Sequence, residues 1–108
     1  AMGTPAYMPP EQAKDPAGVD ARADLYALGA TFYRLVTGRP VFTGTTVQEL
    51  LHQHAHEKPT PPDQVNPVIP KPLSLIILTM LAKRREDRYA TADELIAAGS
   101  RELGIAAE

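Results

Sequence analysis

The stretch DLYALGATFYRLVTGRPVF, residues 24–42, decides how the rest of the chain is read. Leu25, Leu28, Phe32 and Leu35 recur at helical spacing and are expected to line one face. Tyr26, Ala27, Tyr33 and Val36 fill most of the remaining circumference, and after Asp24 only Thr31 and Arg34 interrupt it. A helix that is apolar nearly all round belongs in the middle of a fold. The spacing predicts a helix over 23–36, ended by Thr37-Gly38, where glycine supplies the left-handed conformation common past a helix C-terminus.

The same periodicity gives three more helices. Thr46 and Glu49 have capping-box spacing, and Val47, Leu50, Leu51 and His54 follow at i, i+3, i+4 and i+7, so the second helix has one buried stripe. Pro59, Pro61 and Pro62 open a connection expected to stay non-helical through Pro72. The third helix covers 73–82 and is again apolar all round. Thr91 with Glu94 is a second capping box, opening a fourth helix over 92–102 with Leu95, Ile96, Gly99 and Leu103 inward. No stretch alternates as a strand would. The fold class is all-α, with about four main helices and long proline-rich connections.

Composition narrows the function. The 108 residues suffice for one domain with a modest core. A formal charge of −2 gives no reason to expect nucleic acid or an anionic membrane as partner. Without cysteine there are no disulfides and no thiolate metal sites. The apolar run LSLIILTMLA, residues 73–82, is about half the length of a membrane span, and the first residues carry no leader pattern. A cytoplasmic location is the expectation, with no membrane contact from this segment. His52 and His56 share a helix face at chelating spacing, but no third ligand follows, so no metal site is expected; His54 is expected to pack inward.

The N-terminal stretch GTPAYMPPEQ, residues 3–12, is too constrained for a free tail, because prolines at 5, 9 and 10 fix its backbone. It resembles the end of the activation segment of eukaryotic-type (Hanks-type) serine/threonine protein kinases, where Gly-Thr-Pro-x-Tyr-Met leads into Ala-Pro-Glu. Residues 24–42 resemble the central helix of that family's C-terminal lobe. LAKRREDRYATADEL, residues 81–95, resembles its closing segment, and LLHQHAHEKPTPP, residues 50–62, is similar to bacterial members. The resemblance covers nearly the whole chain and implies the helical subdomain of the kinase C-terminal lobe. It makes 1–108 a partial kinase domain, from the end of the activation segment to the final helix, with the N-terminal lobe and catalytic loop absent.

Several roles follow from the resemblance. Gly3, Thr4, Pro5 and Tyr7 would position a protein substrate, shaping the pocket for the residue after the phosphorylated hydroxyl. Glu11 and Arg88 would form a buried structural ion pair, a task suited to arginine's planar fork. Asp24 would anchor the catalytic loop; by residue type alone it also suits the positive end of a helix dipole and its free N–H groups. Three departures stand out: Pro9 where alanine is usual, Arg85 where proline is frequent, and Tyr26 where many members have tryptophan.

The parts that perform phosphoryl transfer are missing from the sequence. It has no Gly-x-Gly-x-x-Gly loop, no Val-Ala-x-Lys and no aspartate before Phe-Gly. The only asparagine, Asn66, has Pro61 where Asp-x-x-x-x-Asn requires aspartate. No catalytic residue and no cofactor are therefore expected in this chain; ATP and Mg would belong to the full-length parent. Inactivity of the chain alone is the expectation, with a stand-alone pseudokinase-like scaffold or interaction module as the alternative. An uncovered apolar face is expected on the central helix. Its partner would be the remainder of the kinase domain or a second copy of the chain, as a dimer that domain swapping could build.

Overall fold

The structure, a computed structural model, describes residues 5–11 and 20–104. Among them the regular elements are all helical: α1 (Ala21–Thr37), α2 (Val47–His56), α3 (Pro62–Val65), α4 (Lys71–Met80) and α5 (Ala92–Leu103), with 3-10 turns at Pro5–Tyr7 and Arg85–Asp87. α1 is central. It packs against α4, which in turn carries α5, while the Pro5–Tyr7 turn rests on α1 and α2.

Local chemistry sets the helix ends. Asp20, not Asp24, caps α1, its carboxylate accepting from the N–H groups of Arg22 at 3.0 Å and Ala23 at 3.2 Å. Gly38, at φ 75°, closes the helix by donating to the Arg34 carbonyl at 2.8 Å. Thr46 accepts from Glu49 N–H at 3.0 Å, and Thr91 from Glu94 N–H at 3.2 Å. Both glutamates reach back one residue beyond the cap, to the N–H groups of Thr45 and Ala90.

The core gathers Tyr26, Ala30, Tyr33, Val41, Phe42, Ile77 and Leu81. Tyr33 buries its ring and donates its hydroxyl to the Thr60 carbonyl at 2.7 Å, tying the proline-rich connection to α1. That connection is not wholly irregular. Pro62 starts the short α3, and Pro72 sits in the first turn of α4, where a missing N–H breaks no helical hydrogen bond. Ser74 in α4 donates to the Asp63 carboxylate at 2.7 Å, joining the two helices.

Three expected faces are corrected. On α2, His54 is the buried residue of the expected stripe and Val47 is exposed. On α1, Leu25 is buried but Leu28 is 38% and Leu35 74% exposed. With Asp24 and Thr31 they form an outer stripe opposite Tyr26, Ala30 and Tyr33. When both sides of a helix are apolar, periodicity cannot tell which faces the core. On α5, Ala98 is the buried residue and Ile96 points outward, 55% exposed.

Gly29 lies where α1 approaches α4 closely: a Cβ there would stand 2.7 Å from Met80 Cβ. Gly29→Ala gains about 1 kcal/mol of helix propensity but forces two helix backbones apart, an overpacking cost of about 1–3 kcal/mol. Thermal unfolding is expected to give a lower Tm than wild type; an unchanged or higher Tm would show that the two helices separate freely.

Candidate functional site

Arg88 is the hub of the junction between the first segment and the end of α4. It lies just after the Arg85–Asp87 turn, and its side chain is fully buried. All five guanidinium N–H donors have acceptors. Nη1 and Nη2 grip Glu11 Oε2 and Oε1 at 2.7 and 2.8 Å in a bidentate pair. Nη1 also donates to the Arg22 carbonyl at 3.1 Å, Nη2 to the Lys83 carbonyl at 3.3 Å, and Nε to the Ala82 carbonyl at 2.8 Å. The guanidinium carbon lies 4.8 Å from the centre of the Tyr26 ring. Burial pushes the Glu11 carboxyl up, but the Arg88 hydrogen bonds and charge outweigh it and hold the group below its ordinary value.

Tyr26 continues the chain of contacts. Its hydroxyl lies 2.6 Å from His54 Nδ1, and His54 Nε2 lies 3.0 Å from the Ala6 carbonyl. A carbonyl only accepts, so Nε2 carries the proton and Nδ1 accepts from the tyrosine. Burial, and secondly the charge of Lys83, hold His54 down to about 4, so the ring is neutral. Burial raises the Tyr26 phenol, which keeps it a donor. Lys83 closes the last turn of α2 by donating to the Gln53 and His54 carbonyls at 3.1 and 2.8 Å, with its ammonium 4.8 Å from the Phe42 ring centre.

The residues singled out in the sequence therefore fall unevenly. Glu11 and Arg88 meet across 77 positions. Tyr7 is half-buried against the core, and Pro5 opens the 3-10 turn. Gly3 and Thr4 lie outside the described residues. Asp24 is exposed in the first turn of α1, on the outer stripe, while Asp20 serves the free N–H groups. Arg85 reaches Asp20 at 3.6 Å. His52 and His56 have ring centres 4.8 Å apart on the surface, and no group of three metal-ligating side chains gathers among the described residues. Sequence reasoning gave His54 an inward position but missed its reach to Ala6; the periodic stripe signals burial and carries no sign of a partner 48 positions away.

The protein kinase domain family matches residues 1–98. The chain is 51% identical over 87 residues, 81% of its length, to the DNA damage-responsive serine/threonine-protein kinase RqkA of Deinococcus radiodurans, covering 13% of that protein. It is 44% identical over 93 residues, 86% of its length, to the probable serine/threonine-protein kinase PknB of Bifidobacterium longum, covering 13% of it. It is 42% identical over 94 residues, 87% of its length, to the serine/threonine-protein kinase PknB of Mycobacterium tuberculosis, covering 15% of it. The chain thus spans roughly one-seventh of the length of these curated relatives.

Two tests follow from the geometry. Arg88→Ala leaves the Glu11 carboxylate and three carbonyls without their donor, and an expected loss of about 3–5 kcal/mol should appear in urea unfolding. Stability should also fall on acidification. The unfolded chain protonates His54 near 6.5 whereas the folded one resists to about 4, so stability drops as pH falls through that window. Glu11, lowered in the fold, adds a further loss below its unfolded value of 4.5. His54→Gln should flatten the first limb and leave the second; urea midpoints from pH 4 to 7 that are the same for both proteins would contradict the assignment.

Proposed function

The chain belongs to the protein kinase domain family, among the bacterial serine/threonine kinases, and on that premise we propose that it forms the substrate-side helical part of the C-terminal lobe. In the complete kinase it would hold a protein's serine or threonine hydroxyl in line for phosphoryl transfer from ATP. The observation that carries the reading is the bidentate Glu11–Arg88 pair, which fixes the first segment to the helical body with every donor used. Phosphoryl transfer depends on positioning more than on covalent chemistry by the protein, so a rigidly held substrate segment contributes directly to rate.

Gly3, Thr4, Pro5 and Tyr7 form the pocket for the residue after the acceptor hydroxyl in this proposal. Glu11 and Arg88 keep that pocket in place. Asp24, exposed beside Leu28 on the outer stripe of α1, accepts hydrogen bonds from the catalytic loop of the complete domain. That loop and its supporting helix cover Leu28 and Leu35.

The donor set of this chain does not fit ATP and Mg. Its sequence has no glycine-rich phosphate loop, and among the described residues no three carboxylate or imidazole groups converge. Nucleotide and metal belong to other segments of the complete kinase, and the chain alone transfers nothing. Among the described residues no helix is long and apolar enough to cross a membrane. The 74% exposure of Leu35 favours one second reading: alone, the chain acts as a scaffold or pairs with a second copy, as a dimer open to domain swapping.

The test is transfer of labelled phosphate from Mg-ATP to a protein substrate. The complete kinase should label serine or threonine, this chain alone should label nothing, and Glu11→Gln in the complete kinase should lower kcat/KM about a hundredfold. A complete kinase that labels no hydroxyl would overturn the reading. Sedimentation of the chain alone separates monomer from dimer.

A further inference from the structure

The first segment is held at two points, and only one belongs to the ion pair. Glu11 is gripped by Arg88, while five residues earlier the Ala6 carbonyl receives the Nε2–H of His54 from the last turn of α2. Tyr26 stands between the two clamps, its ring under the guanidinium and its hydroxyl on His54 Nδ1. His54 is 1% exposed, and its ring also meets Phe42 edge-on at 5.0 Å. Aliphatic packing alone would fill this position equally well. A histidine whose two nitrogens both find partners instead fixes one carbonyl of one neighbouring segment.

We propose that His54 is a positioning residue for substrate selection: by holding the Ala6 carbonyl it sets the distance of the Pro5–Tyr7 turn from α2, and so the shape of the pocket for the residue that follows the acceptor serine or threonine. The inference rests on the kinase reading above. Two features support a directional role. The tautomer is locked, since Tyr26 can satisfy Nδ1 only as donor to a neutral ring whose Nε2 then points its proton at Ala6. The helix end that presents the imidazole is itself fixed, because Lys83 bonds the Gln53 and His54 carbonyls. The turn is therefore referenced to α2 as well as to Arg88.

The experiment uses the complete kinase with three variants in this chain's numbering. His54→Gln places an amide donor near Nε2 and keeps the Ala6 bond. His54→Asn is too short to reach Ala6 but still meets Tyr26. Tyr26→Phe removes the donor to Nδ1. Each is assayed on peptides that differ only in the residue after the hydroxyl, with KM for ATP and hydrogen exchange over residues 5–11 read in parallel. The expected result is a three- to tenfold loss of discrimination among peptides in His54→Asn, the scale of one lost hydrogen bond. His54→Gln should restore most of it, Tyr26→Phe should fall between, and KM for ATP should stay unchanged. Exchange over 5–11 should quicken most in His54→Asn and least in His54→Gln. Unchanged discrimination in His54→Asn, or an equal loss in His54→Gln, would overturn the proposal even if both variants melt earlier. A wild-type kinase that labels no peptide would instead overturn the underlying reading, and faster exchange in His54→Asn would then mark His54 as a structural clamp only.

Discussion

Arg88 is the interaction on which the rest of this structure depends. A buried guanidinium is costly unless each of its donors is matched, because the charge has left water. Here the five donors meet a carboxylate from the first segment, a carbonyl from the first turn of α1 and two carbonyls from the link after α4. Three parts of the chain that share no helix are thereby held in one geometry. No lysine could do this, since a single ammonium cannot address a planar carboxylate and three carbonyls in different directions.

The second constraint is the apolar middle of α1. Tyr26, Ala30 and Tyr33 face the core, while Gly29 lets Met80 approach so that α4 lies close against α1. Both tyrosines use their hydroxyls to fix loops: Tyr33 the connection at Thr60, Tyr26 the first segment through His54. A ring that packs and a hydroxyl that bonds let one residue serve stability and positioning together. Tyr26 thus adds a hydrogen bond of its own to the packing of its ring.

Much of the fold was legible because the signals were local. Thr46 and Thr91 announce their helices by a hydroxyl that meets an N–H three residues on, and Gly38 ends α1 because only glycine enters the left-handed region without strain. Asp20 escaped notice because Asp24, another aspartate nearby, also suits a helix start. The helix at Pro62–Val65 was hidden because prolines read as breakers, though in a first turn they are neutral. The outward turn of Leu28, Leu35 and Ile96 was illegible for another reason. Apolar character says that a side chain can be buried, and the arrangement of neighbours decides whether it is.

By itself, the sequence determined that this is a helical piece of a kinase lobe, since helical period, caps and three ordered motifs are properties of neighbouring residues. It also supplied Glu11 and Arg88, because the family resemblance names them together. The tertiary structure alone decided that His54 reaches Ala6, that Tyr26 joins the two clamps, and which face of α1 lies open. These depend on contacts between residues 28 to 62 positions apart. No local pattern encodes such distances; they exist only once α1 and α2 have packed and brought a ring, a hydroxyl and a carbonyl within hydrogen-bond reach.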